Sequence, residues 1–92
     1  LRFFKAGNKF SLHYHIIKKE SWYVGKGSFN YIRLDTEMGI EHTTIIKEGT
    51  CITIERGSPH QLIALEDMSE IFEVSTQHFD KDSYRIRIGN TL

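Results

Sequence analysis

His13 and His15 stand two residues apart in the stretch Phe10-Ser11-Leu12-His13-Tyr14-His15-Ile16-Ile17. Side chains two apart on a β-strand leave the same face. Two imidazoles placed this way can address one cation, and neutral imidazole is the commonest protein ligand for metals. The stretch also supports a plainer reading. Phe10, Leu12, Tyr14 and Ile16 share the opposite face, so the histidines equally fit the solvated side of an edge strand. Glu20 follows five residues after His15, beyond a Lys18-Lys19 turn that lets the chain double back. An anionic oxygen beside two imidazoles suits Fe(II), Mn(II), Ni(II), Co(II) or Zn(II); taken alone, Glu20 is a surface carboxylate near two lysines. His60 opens a later strand directly after Gly57-Ser58-Pro59. It offers either a donor from a distant strand or a histidine at a turn edge. His42 has no partner at ligand spacing and reads as structural.

These residues need elements to hold them, and the chain supplies short β-rich runs broken by turn residues every eight to twelve positions, the rhythm of a sandwich or barrel. Strands are expected at 1–5, 10–17, 21–24, 28–34, 41–46, 50–54, 60–64, 71–76 and 84–88. The breaks between them carry Gly7-Asn8, Gly25-Lys26-Gly27, Gly39, Gly49 and Gly57-Ser58-Pro59. No long window holds apolar residues at helical spacing without a Gly or a turn cluster, so essentially no helix is expected. Ninety-two residues form one domain, 1–92, with a modest core. The chain starts at Leu1 and not at Met, which leaves room for a preceding segment.

Taken together, the histidines, Glu20 and the glycines form a pattern. Gly7, five residues, His13, one residue, His15, four residues, Glu20, six residues, Gly27 resembles the first cupin motif at every fixed position. Gly49, Gly57 and His60 resemble the second, with Glu55 where Pro is usual and Ala64 where Asn is usual. The resemblance spans roughly residues 1–87. It implies an all-β double-stranded β-helix, the cupin jelly-roll barrel. It also implies one divalent transition metal (Zn, Mn, Fe, Ni or Co) held by His13, His15, Glu20 and His60, with coordination positions left for water or substrate. The tail around Ser75-Thr76-Gln77-His78-Phe79-Asp80 resembles cupins related to type II mannose-6-phosphate isomerase. On that resemblance Gln77 and His78 approach the mouth of the barrel as substrate-binding residues; a C-terminal strand closing the barrel edge is the alternative.

The function implied is a metal-binding cupin that acts on, or binds, a sugar phosphate or related carbohydrate. Two alternatives stand beside it: a mononuclear metal-dependent dioxygenase, and a non-catalytic small-molecule binding module. No catalytic base is identifiable from the sequence. Twelve basic residues balance twelve acidic ones, so no basic field exists to displace counterions from a nucleic acid. No run approaches the roughly 20 apolar residues of a membrane helix. Cys51 has no second cysteine to pair with and reads as a small buried side chain; the lack of disulfides fits the cytoplasm. Trp22 and Tyr31 read as core residues, or as aromatics of a rim or interface. Zero net charge and strand-forming ends favour a homodimer.

Overall fold

The computed structural model describes residues 1–10, 12–15, 19–76 and 84–87. All its regular elements are strands: β1 (Arg2–Phe3), β2 (Leu12–Tyr14), β3 (Glu20–Lys26), β4 (Ser28–Asp35), β5 (Ile40–Lys47), β6 (Cys51–Ile54), β7 (His60–Ala64), β8 (Ser69–Ser75) and β9 (Tyr84–Arg87). They form two antiparallel sheets, one in the order β1-β8-β3-β6 and the other β5-β4-β7-β2-β9. This is the expected all-β jelly roll. Among the described residues no helix is long and apolar enough to cross a membrane.

The core lies between the inner faces of the two sheets. The first sheet contributes Phe3, Trp22, Val24, Ile54 and Ile71; the second contributes Phe29, Ile46, Leu62 and Ala64. The two-residue period produces this directly. Glu20, Trp22 and Val24 alternate inward along β3, while Tyr23 faces out and is exposed. Phe3 and Phe29 meet edge to face with ring centroids 5.1 Å apart. Burying each large apolar side chain here contributes about 1.5–3 kcal/mol.

Turn chemistry sets the register. Gly27 joins β3 to β4 at φ +74, and a Cβ built there would run into the Ser69 side chain. Only glycine satisfies both demands at low cost. Gly49 lies between β5 and β6 at φ +90, and its N–H donates to the Val24 carbonyl at 2.9 Å.

Two expectations fail. Cys51 is exposed, not buried. It pairs with Tyr23 across β6 and β3, and cross-strand partners share a face, so both point outward. The strand expected over 10–17 is also narrower among the described residues: β2 is Leu12–Tyr14, Phe10 and His15 lie outside it, and Ser11, Ile16 and Ile17 are outside the described residues. Phe10 precedes the strand and turns inward, its ring 5.0 Å from that of His13 and 5.3 Å from that of Trp22. Trp22 is a core residue, and Tyr31 is half-buried against the core. Gln77 and His78 lie outside the described residues.

Candidate metal centre

Four side chains named from the sequence meet at one end of the barrel. His13 on β2 lies directly opposite His60 on β7, so both imidazoles leave the same face of the sheet. His15 follows the end of β2, and its ring centroid is 4.9 Å from that of His13. The His13 and His60 centroids are 4.7 Å apart, and those of His15 and His60 are 5.7 Å apart. One nitrogen from each of the three rings lies within 4.8 Å of the other two. Donors on opposite sides of one ion sit about 4.2 Å apart at metal–nitrogen distances near 2.1 Å, so a short side-chain adjustment closes the set.

Glu20 arrives from the other sheet as the first residue of β3 and is 2% exposed. Its Oε1 is 2.8 Å from His15 Nε2 and 3.9 Å from His60 Nε2. Its Oε2 accepts a 2.6 Å hydrogen bond from Trp22 Nε1. The indole thus fixes one carboxylate oxygen and aims the other at the histidines. A partner of this kind orients a ligand and tunes its affinity. Trp22→Phe is expected to weaken metal binding by about 10–100-fold, measured by competition with a chromophoric chelator. Unchanged affinity would remove Trp22 from this role.

His60 is the most informative of the four. It is fully buried, and its Nδ1 donates to the Ser58 carbonyl oxygen at 2.8 Å. That bond puts the proton on Nδ1 and leaves the Nε2 lone pair pointing inward. Burial, with the nearby His13 and His15 adding to it, pushes the His60 pKa down to about 3, so the ring is neutral near pH 7. Nε2 is buried and has no hydrogen-bond partner among the described residues. Such a group costs about 1–3 kcal/mol unless something satisfies it, and a cation held by neighbouring imidazoles does so. The donor set, three neutral-capable imidazoles and one carboxylate on two facing sheets, suits a single divalent metal ion.

Backbone bonds brace the arrangement. The Gly57 N–H donates to the His15 carbonyl at 2.5 Å and the Leu34 N–H to the Pro59 carbonyl at 3.1 Å. The loop that delivers His60 is thereby tied to the residue carrying His15 and to β4. Phe10 and Trp22 stand edge-on to the His60 ring, at 6.2 and 5.4 Å, and shield that side from water.

Two charged residues near the site carry no signal in the sequence. Glu73 on β8 pairs with Trp22 and so stands on the inner side; its charge acts on His60. Arg33 on β4 pairs with His60 on one side and His42 on the other. Only the strand register brings either residue to the histidines.

An all-β barrel of two antiparallel sheets, with three inward histidines and a glutamate at one end, is a metal-binding cupin. Solved structures agree. The chain is similar to oxalate decarboxylase from Bacillus subtilis, with 26% identity and a TM-score of 0.80 over 92% of this chain; a tyrosine-for-tryptophan variant of that enzyme gives 28% identity at the same TM-score. The match covers 22% of the decarboxylase chain, so this chain spans about a fifth of its length. That enzyme carries Mn(II) centres. KdgF from Halomonas sp. shares the fold at 20% identity and a TM-score of 0.73, over 87% of this chain and 66% of its own. No protein-family model and no curated protein sequence matches the chain.

Proposed function

We propose that residues 1–92 form a single cupin domain whose metal, held by His13, His15, Glu20 and His60, binds a small oxygen-rich ligand, and that this ligand is a sugar phosphate or related carbohydrate undergoing isomerisation. The observation that carries the metal reading is the buried, hydrogen-bond-deficient Nε2 of His60 facing Glu20 and two further imidazoles. When bound, the ion supplies Lewis acidity to a carbonyl or hydroxyl oxygen of the ligand. The three histidines and Glu20 hold the ion, Trp22 orients Glu20, and Phe10 keeps one side of the pocket dry. The resemblance of the tail supports the carbohydrate class. The likeness to oxalate decarboxylase supports a second reading, cleavage of a carbon–carbon bond in a small carboxylic acid. A cytoplasmic setting fits the lone exposed Cys51. A homodimer is supported by the exposed apolar side chains Tyr23, Phe72 and Val74 on the outer side of the β1-β8-β3-β6 sheet.

Elemental analysis of purified protein is expected to give about one divalent ion per chain, the stoichiometry of a single mononuclear site. Metal-loaded protein is expected to convert mannose 6-phosphate to fructose 6-phosphate, with turnover lost in His13→Ala and His60→Ala. Carbon dioxide released from oxalate, without sugar turnover, would move the assignment to the second reading. Oxygen uptake with a catechol or diketone would instead mark a dioxygenase, and tight ligand binding with no turnover a binding module. Protein that takes up no divalent ion would end the metal reading altogether.

A further inference from the structure

The register of the five-stranded sheet lines up one inner row: His42, Arg33, His60 and His13, on β5, β4, β7 and β2. The rows beneath it are Thr44-Tyr31-Leu62 and Ile46-Phe29-Ala64. Polarity therefore rises along the inner face from a buried apolar floor to the level of the histidines. Direct cross-strand neighbours have Cβ atoms about 4.5–5.5 Å apart, so Arg33 projects from beside His60. Unlike His60, Arg33 is exposed. It makes no ion pair with a carboxylate among the described residues; it acts on Tyr31, whose hydroxyl pKa it lowers against the larger upward push of burial. Arg33 also lines an open surface pocket of about 400 Å³ with Arg56, Gly57, Ser58 and Pro59. The same Ser58 holds His60 through its carbonyl, so this pocket and the histidine cluster share a wall.

Asp35 and Glu37 also line the pocket, which makes it nearly neutral by itself. Asp35 is partly engaged, since its Oδ1 accepts from the Glu37 and Met38 N–H groups at 3.0 and 3.2 Å. Any preference for anions must therefore come from pairing Arg33 with the cation proposed for the histidine cluster. A guanidinium presents a rigid fork of donors that matches the oxygens of a carboxylate or phosphate.

From the placement of Arg33 beside His60 on the inner face, at the edge of the Arg56–Ser58 pocket, we infer an oxyanion subsite: Arg33 anchors the carboxylate or phosphate of a ligand whose other oxygens reach the metal. This rests on the metal reading above and deepens it, because it makes the ligand an anion with metal-binding oxygens at one end.

Calorimetric titration of the full chain, metal-loaded and metal-free, with inorganic phosphate and separately with oxalate tests it. The two arms separate a phosphate subsite from a carboxylate one. At least one oxyanion is expected to bind the metal-loaded protein. Arg33→Gln is expected to weaken that binding about tenfold or more, the worth of a charge-assisted hydrogen bond, with metal stoichiometry and affinity unchanged. Arg33→Lys is expected to restore part of the loss, and Arg2→Gln to have no effect. Equal oxyanion affinity in wild type and Arg33→Gln, or no binding of either anion to wild type at millimolar concentration, overturns the subsite. A chain that takes up no metal defeats the metal reading, and with it a subsite whose anion preference needs the cation; metal uptake with Arg33→Gln binding the oxyanion as well as wild type defeats the subsite alone.

Discussion

Stripping the divalent ion is expected to lower the melting temperature by about 15 °C or more, because an ion held at a thousand times its dissociation constant adds about 4 kcal/mol to the folded state, and each kcal/mol is worth about 4–8 °C in a domain of this size. His60 joins the neighbouring His13, His15 and Glu20 only when both sheets have formed, so the unfolded chain offers no equivalent four-donor site. His60→Gln is expected to abolish most of the difference between metal-loaded and chelator-treated protein, since it removes the donor with the best-defined lone pair. His42→Ala is expected to leave the difference intact, because His42 is exposed on β5, with β4 and β7 between it and His13 on β2. The measurement is a pair of thermal melts on protein whose metal content has first been verified. Coincident melts for loaded and stripped wild type would mean that the four side chains do not share an ion.

The clustering of these four side chains was legible in the sequence because a motif fixes their positions at unequal offsets. Periodicity alone pointed the other way. Leu12 and Tyr14 face opposite to His13, which suggests an apolar inner side and a solvated histidine side. In the structure Leu12 is 2% exposed although it faces away from the histidines, so both sides of β2 are covered near that point. A two-state alternation cannot express a strand buried on both faces. The motif's departures also have physical readings. Ala64 replaces an Asn, and it is 1% exposed in the core directly opposite Phe29, where an unpartnered amide would be costly. Glu55 replaces a Pro in an exposed turn and lies 3.6 Å from Lys19; the following Gly57, at φ +75, still reverses the chain.

Arg33 and Glu73 show what sequence reading cannot reach. Each is a charged residue in a strand with nothing distinctive around it. Their significance lies in the pairings Arg33 with His60 and Trp22 with Glu73, and a one-residue slip in either register would turn them to the outer face. Cys51 was misread for the converse reason. Residue type favours burial for cysteine, but its pairing with Tyr23 places it outside, and position on the sheet overrides the average preference.

Acid is expected to destabilise the metal-free fold through His60, with a sign that follows from its environment. In the folded state burial, reinforced by His13 and His15, holds the His60 pKa near 3; the unfolded chain titrates at the ordinary 6.5. Glu73 opposes the shift without cancelling it. Below pH 6.5 the unfolded state therefore binds a proton that the folded state refuses. Stability from this group is fully present above pH 6.5 and falls by about 1.4 kcal/mol for each pH unit below it, until the folded-state pKa is reached. The clean window is pH 6.5 to 5, above the usual carboxylate range. Urea unfolding of chelator-treated protein across that window is expected to give a steeper loss for wild type than for His60→Gln, by about 1.4 kcal/mol per pH unit. Glutamine does not titrate, so ionising groups remote from His60 contribute equally to both proteins and drop out of the comparison. Parallel pH profiles would show that His60 can take up its proton inside the fold, and a ring able to do so would not be the neutral, inward-facing donor on which the metal centre depends.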